Sequence, residues 1–190
     1  MAPALVTDAD IVEFGEDGEP VNAAGRAVYL ERFIHGEIFK LRPDVNAVIH
    51  SHSPSVIPFG VTGARLRPIC HMSGFLGATT PVFEIRHSAG ESSDLLVRNH
   101  ALGKALAEVL GAHPVALMRG HGSVAVGSSI KQVVYRAIYT ENNARLQAMS
   151  MPLGEVSYLT DAEARATAEM NDQHLDRPWQ MWKRDALAAR

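Results

Sequence analysis

Arg42-Pro43-Asp44-Val45-Asn46-Ala47-Val48-Ile49-His50-Ser51-His52 is the stretch on which the reading of this chain turns. The residue before a proline is pushed out of the helical region, so Arg42 ends whatever helix precedes it. Val45 to His50 is then a buried strand, short and rich in β-branched residues. His50 and His52 stand at its end. Side chains two apart on a strand point to the same face, with Cα atoms about 6.5–7 Å apart from the strand rise. Two imidazoles so placed can converge on one ion, whereas a helix would send them to different faces. The plainer alternative is two histidines at a strand–loop junction, with ordinary hydrogen bonds.

Upstream, Leu30, Phe33, Ile34, Ile38 and Leu41 recur at helical spacing, which predicts a helix over about 26–41. Glu31 lies among them, and a buried carboxylate is costly unless it is paired or bound to a metal. An exposed glutamate paired with a nearby Lys or Arg is the alternative. Before this helix, the turn-rich residues 15–26 form a surface loop. Downstream, strands are expected at 66–70 and 82–86 and a helix at 99–110, stopped by Gly111. Val115 to Met118, a Gly-rich turn and Val124 to Val126 read as a hairpin. Inside that turn, Arg119-Gly120-His121-Gly122 puts a histidine on backbone that can bend sharply at the end of a rigid strand. Taken alone it is equally a plain hairpin turn. A long helix follows from about 129 to 149, and Thr160-Asp161-Ala162-Glu163 is a capping box that starts another. Trp179 and Trp182 near the end imply docking, onto the chain's own body or onto a neighbouring subunit. Strands alternating with helices indicate an α/β domain.

The 190 residues suit one domain with a terminal arm, and 46% hydrophobic with 21% charged residues is ordinary globular composition. A formal net charge of −3 without a basic run gives no support for nucleic-acid binding. The single cysteine, Cys70, excludes an internal disulfide and fits a reducing compartment. The first residues lack the pattern of a signal peptide, and no apolar run approaches the ~20 residues of a membrane helix. The expectation is a soluble cytoplasmic protein.

Glu31, His50 with His52, and His121, in this order and spacing, resemble the class II aldolase/adducin family. The segment from Glu31-Arg32-Phe33 to His50-Ser51-His52 resembles the family's most characteristic stretch, and the likeness covers about Ala4 to Gln147. The resemblance implies a three-layer αβα domain with a central, largely antiparallel sheet flanked by helices. It also implies one divalent metal ion per subunit, held by Glu31, His50, His52 and His121. Manganese or zinc is favoured, with iron or cobalt open. Tyr29 and Leu30 stand where sugar-phosphate aldolases carry paired serines, so an apolar wall replaces a phosphate holder. Pro68 to Gly77 is similar to a branch that decarboxylates hydroxylated aromatic acids, such as 3-hydroxy-2-methylpyridine-4,5-dicarboxylate and dihydroxyphthalate. Members usually carry several tens of residues before the position of Met1, so by this comparison the chain begins in mid-domain. The division that follows is a metal-binding domain over 1–160, its N-terminal part missing, and a helical arm over 161–190. A homotetramer is expected, with Arg177, Trp179 and Trp182 reaching towards a neighbour's site.

Aldol cleavage and decarboxylation both leave an electron pair on carbon and need a sink for it, which a bound cation supplies. The expected substrate is a small carboxylate. Glu31 and His71 are the expected catalytic residues, His71 as the first candidate for proton donor because histidine titrates near neutrality. Tyr135 and Tyr139 are weaker candidates for that role. Arg119 suits a substrate carboxylate held bidentately. Arg86, Ser51 and Tyr139 are further substrate-binding candidates, and each of these has an ordinary surface or packing role as its alternative. An aldolase for a non-phosphorylated hydroxy-keto acid, an iron-dependent oxygenase and a non-catalytic adducin-like module are the competing readings.

Overall fold

The computed structural model describes residues 5–15 and 17–188. Residues 1–4, the first half of the stretch on which the signal-peptide reading rests, Glu16 of the turn-rich loop and the last two residues of the arm lie outside the described residues.

Four strands form one sheet in the order β1 (Ala47–Ser51), β4 (Gly122–Gly127), β3 (Val115–Met118), β2 (Val82–Phe83). The β1–β4 and β4–β3 pairs are antiparallel, and β2 runs parallel to β3. Alternation along these strands builds two cores. Val48, Ala116, Met118, Val124 and Val126 face one layer, where they meet Ile34 and Ile38 of α1 (Arg32–Leu41) and Leu102, Leu106 and Leu110 of α4 (His100–Leu110). Ala47, Ile49, Val115, Leu117 and Ala125 face the other, against α5 (Ile130–Ser150) and the short α2 (Ile57–Val61). Side chains as fully buried as Ile34, Ile38, Leu106 and Leu110 each contribute about 1.5–3 kcal/mol. This is a three-layer α/β/α arrangement around a largely antiparallel sheet.

The Gly111 stop and the Thr160–Glu163 capping box read from the sequence act where expected, and side-chain caps at two further helix starts join them. Asn99 caps α4 by accepting the Leu102 N–H, and Gly111 ends it with φ 51°. Ser129 caps α5. Thr160 and Glu163 form the reciprocal capping box of α6 (Asp161–Asp172). Trp182, on α7 (Asp176–Ala188), lies 6.4 Å from Tyr135 and 6.1 Å from Tyr139 between ring centroids, so the tail docks onto the chain's own α5. Among the described residues no helix is long and apolar enough to cross a membrane.

Three expectations need correction. The helix expected from Arg26 begins at Arg32: Ala24 and Gly25 take positive φ, and Arg26 folds back onto the carbonyls of Ala23 and Asn22. Leu30 and Leu41, read as part of its apolar face, are 43% and 47% exposed. No strand forms at 66–70. The backbone there is satisfied by side-chain amides of α5 instead. Asn143 accepts the Ile69 N–H (3.0 Å) and donates to the Arg67 carbonyl (2.8 Å). Gln147 accepts the Arg67 N–H (3.0 Å) and donates to the Arg65 carbonyl (2.8 Å). Finally, the strand at 82–86 stops after Phe83, because Arg86–Ala89 turns into a short helix, α3.

Candidate metal centre

Four donor-bearing side chains meet at one end of the sheet. Glu31 is the N-cap of α1, not an interior helical residue, and is only 4% exposed. His50 lies near the end of β1 on the face that Val48 gives to the α1 layer, and His52 follows just past the strand. His121 sits in the β3–β4 turn, where Gly120 takes φ 66°. His50 Nε2 and His121 Nε2 lie 3.1 and 2.9 Å from His52 Nε2, and 3.4 and 3.6 Å from Glu31 Oε2. All four donor atoms fall within 4.8 Å of one another.

The tautomers make this arrangement informative. His50 Nδ1 donates to the Ser123 carbonyl (3.1 Å) and His121 Nδ1 to the Leu95 carbonyl (2.9 Å). Each Nε2 is then a lone pair aimed at the shared centre. Glu31 accepts the Val97 N–H on Oε1 (3.1 Å), which leaves Oε2 for the centre. Two lone pairs and a carboxylate oxygen converge, and His52 can supply at most one proton between them. Such a set calls for a cation.

The spacing fits one. Ligand bonds of ~2.0–2.1 Å in a tetrahedron put donors ~3.3 Å apart; four of the six donor–donor separations, 2.9 to 3.6 Å, straddle that value, and all six stay within 4.8 Å. Electrostatics agree. Burial pushes the Glu31 carboxyl up, but the Val97 N–H and, in their protonated forms, the His50 ring as donor and the charges of His121 and His50 outweigh it and hold it below its ordinary value. Burial lowers the His121 imidazole, with Glu31 opposing and His50 and His52 assisting. Both groups therefore stand in the ligand form at neutral pH. His52 is exposed, so the centre opens to solvent on its side.

Among the described residues, the other candidates share no hydrogen bond or ion pair with the four donors. His71 opens a 3-10 turn (His71–Leu76) that packs on α5 and α6, in the layer across the sheet. It is exposed, with Nδ1 3.4 Å from Met72 Sδ, and shares no hydrogen bond with the four donors. Tyr135 and Tyr139 lie in that same layer, 4.6 Å apart, and the Tyr135 hydroxyl donates to the Met72 carbonyl (3.0 Å). Burial raises both phenols above their ordinary range. Arg119 and Arg86 are both tied to Glu84, at 2.6 and 2.7 Å, and they hold its carboxyl far below the usual carboxylate range. Ser51 points away from His50, and its hydroxyl meets that of Ser53 (3.1 Å). Arg177 is exposed on α7.

Two residues that the sequence did not single out as polar participants stand beside the centre. Tyr29 is half exposed, and its phenol is pushed up to about 12 by burial and by the Glu31 carboxylate. His35, one turn after Glu31, is pushed down to about 4 by burial and by His50, with Glu31 opposing. Both line a cavity of about 770 Å³, together with Phe14, Arg32 and Phe39. None of the four donors is among its lining residues. The i, i+4 spacing of Glu31 and His35 was the available signal for the second residue.

Known proteins supply the remaining findings. Residues 1–148 match the Class II Aldolase and Adducin N-terminal domain. The chain is 43% identical over 208 residues to the decarboxylase tropJ of Talaromyces stipitatus, covering 97% of this chain and 78% of that protein. It is 31% identical over 178 residues to a 3,4-dihydroxyphthalate decarboxylase of Arthrobacter keyseri, covering 89% of this chain and 68% of that one. Among solved structures, an aldolase II superfamily protein from Pseudomonas syringae superposes with a TM-score of 0.71 at 19% identity, over 92% of this chain and 70% of the other.

Proposed function

We propose, from the premise that this chain belongs to the class II aldolase and adducin family and to its decarboxylase branch, that it releases carbon dioxide from a hydroxylated aromatic or heteroaromatic carboxylate in a metal-dependent reaction. The observation that carries the metal dependence is the convergence of Glu31 Oε2 and the Nε2 atoms of His50, His52 and His121 on one point.

Glu31, His50, His52 and His121 would hold a divalent ion, manganese or zinc by the family resemblance. When bound, that ion supplies an electrophile for substrate oxygens and a sink for the charge left on carbon. The chain's own residues do the rest. Val97 N–H and the carbonyls of Ser123 and Leu95 fix the orientation of Glu31, His50 and His121 before anything binds. The exposed edge at His52 admits the substrate. The apolar bodies of Tyr29 and Leu30, exposed beside Glu31, suit an aromatic ring better than a phosphate. A phenol held at about 12 keeps its proton at neutral pH, so Tyr29 can donate a hydrogen bond beside Glu31. A tetramer of such chains in the cytoplasm completes the reading, with a small carboxylate as substrate and no role for nucleic acid or membrane.

The test is to load the purified chain with manganese or zinc and offer a panel of hydroxylated aromatic mono- and dicarboxylates, measuring carbon dioxide. Release from at least one panel member, abolished by chelator and restored by metal, is expected. Pyruvate or aldehyde release from hydroxy-keto acids without any carbon dioxide would replace this reading with an aldolase.

A further inference from the structure

The four donors are not held equally. Glu31, His50 and His121 each spend a second atom on a backbone group, at 3.1, 3.1 and 2.9 Å. Among the described residues His52 has no such partner: its ring nitrogen meets the other imidazoles, and it is exposed. It also lies one residue beyond β1, where ladder hydrogen bonds no longer fix the chain. Its position therefore depends on how the backbone leaving β1 is anchored.

Two anchors are visible. The first is Gly122, opposite that backbone: a Cβ there would lie 2.0 Å from the Ser51 carbonyl oxygen and 3.0 Å from His52 Cα, so only glycine admits this approach. The second comes from across the sheet. Glu141 of α5 turns both carboxylate oxygens to the Ser55 N–H, at 3.1 and 3.3 Å. Among the described residues it has no salt-bridge partner, and this one N–H is its hydrogen-bond partner. Ser55 belongs to the turn in which Val56 and Ile57 donate back to the Ser53 carbonyl, directly after His52. A charge-assisted bond of this kind is roughly twice as strong as a neutral one.

We infer that Glu141 is a positioning residue for the metal centre, acting through the turn 53–56 to hold His52 in reach of the other three donors. The inference rests on the metal-site reading above. Glu141 touches no donor atom, so its effect is on the backbone that carries one.

Zinc binding to the full chain tests it, by competition against a chromophoric chelator, with cobalt(II) spectra reporting the ligand set. Glu141→Ala is expected to weaken zinc about tenfold, the low end for residues that orient ligands, with the melting temperature of the metal-free protein nearly unchanged. Glu141→Gln keeps an acceptor oxygen and should restore most of the affinity. In a His52→Ala background, Glu141→Ala should add nothing, because the ligand it serves is gone. If Glu141→Ala fails to fold, Glu141→Asp, too short by one methylene, takes its place with the same expectations. Unchanged affinity in the shortened variants overturns the inference, as does an equal loss with and without His52. If the wild-type chain binds neither metal, the metal-site reading falls and takes the inference with it.

Discussion

The two faces of the sheet use the same kinds of side chain to opposite ends. In the α5 layer, polar groups are spent. Asn143, fully buried, accepts from Ile69 N–H and from the Ser73 hydroxyl and donates to Arg67. Gln147 does the same for Arg65 and Arg67, and the Tyr135 hydroxyl for Met72. At the end of the α1 layer, the polar groups are half spent. One atom of each of three donors is fixed to backbone, and the other is aimed at a shared point. A buried hydrogen-bonded network stabilises a fold. A convergence of unspent lone pairs costs stability until a cation arrives, and that difference separates scaffold from chemistry here.

The contrast can be broken by mutation. The largest effect is expected at the donors: His50→Ala or His121→Ala should lower metal content and carbon dioxide release by more than about a hundredfold, beyond the range for orienting residues. His71→Ala, across the sheet, should leave metal content at the wild-type level. Equal losses at His50 and His71, measured by elemental analysis of purified protein, would erase the distinction between the faces.

Next in size is the scaffold side. Asn143→Ala strips partners from two backbone groups and should cost roughly 2–6 kcal/mol, at 1–3 kcal/mol for each buried group left unpaired. Denaturant titration of the metal-free protein measures this, and the folded fraction should keep its metal affinity. Gly122→Ala sits between the two regimes: its Cβ would collide with the Ser51 carbonyl, so stability should fall by about 1–3 kcal/mol and metal affinity should fall with it.

The pH dependence is a subtler test. His35 is held near 4 in the fold, against its ordinary 6.5, by burial and His50. The fold thus favours the neutral ring, and the unfolded chain binds the extra proton first. The contribution of His35 is complete above about pH 6.5 and is lost as pH falls through about 4. Melting temperatures of the chelated protein should decline across that window, and His35→Phe should flatten the decline. An unflattened profile would remove His35 from the account. The smallest effect is at Arg119→Gln, where a partly exposed ion pair with Glu84 contributes at most about 1 kcal/mol.

Sequence made the α1 end of the molecule more legible than the α5 end, and the reason is the range of the signals. The Gly111 stop, the hairpin, the long helix and the Thr160–Glu163 capping box are written within a few residues of where they act. The four donors were legible because a strand fixes His50 against His52 and a glycine-flanked turn marks His121. Residues 66–70 misread because their partners, Asn143 and Gln147, come from some eighty positions away. The early start given to α1 failed because apolar spacing carries no trace of the positive φ at Ala24 and Gly25. His71 and Tyr135 looked chemical by residue type, and only the layer assignment separates them from the centre.

The central claim is that Glu31, His50, His52 and His121 close around one ion. X-ray diffraction from metal-loaded crystals, recorded on both sides of the metal's absorption edge, tests it directly. The account predicts a single anomalous peak per chain, about 2.0–2.2 Å from the three Nε2 atoms and from Glu31 Oε2. A peak elsewhere on the chain, or density showing the three imidazoles bonded only to one another at full metal loading, would contradict it.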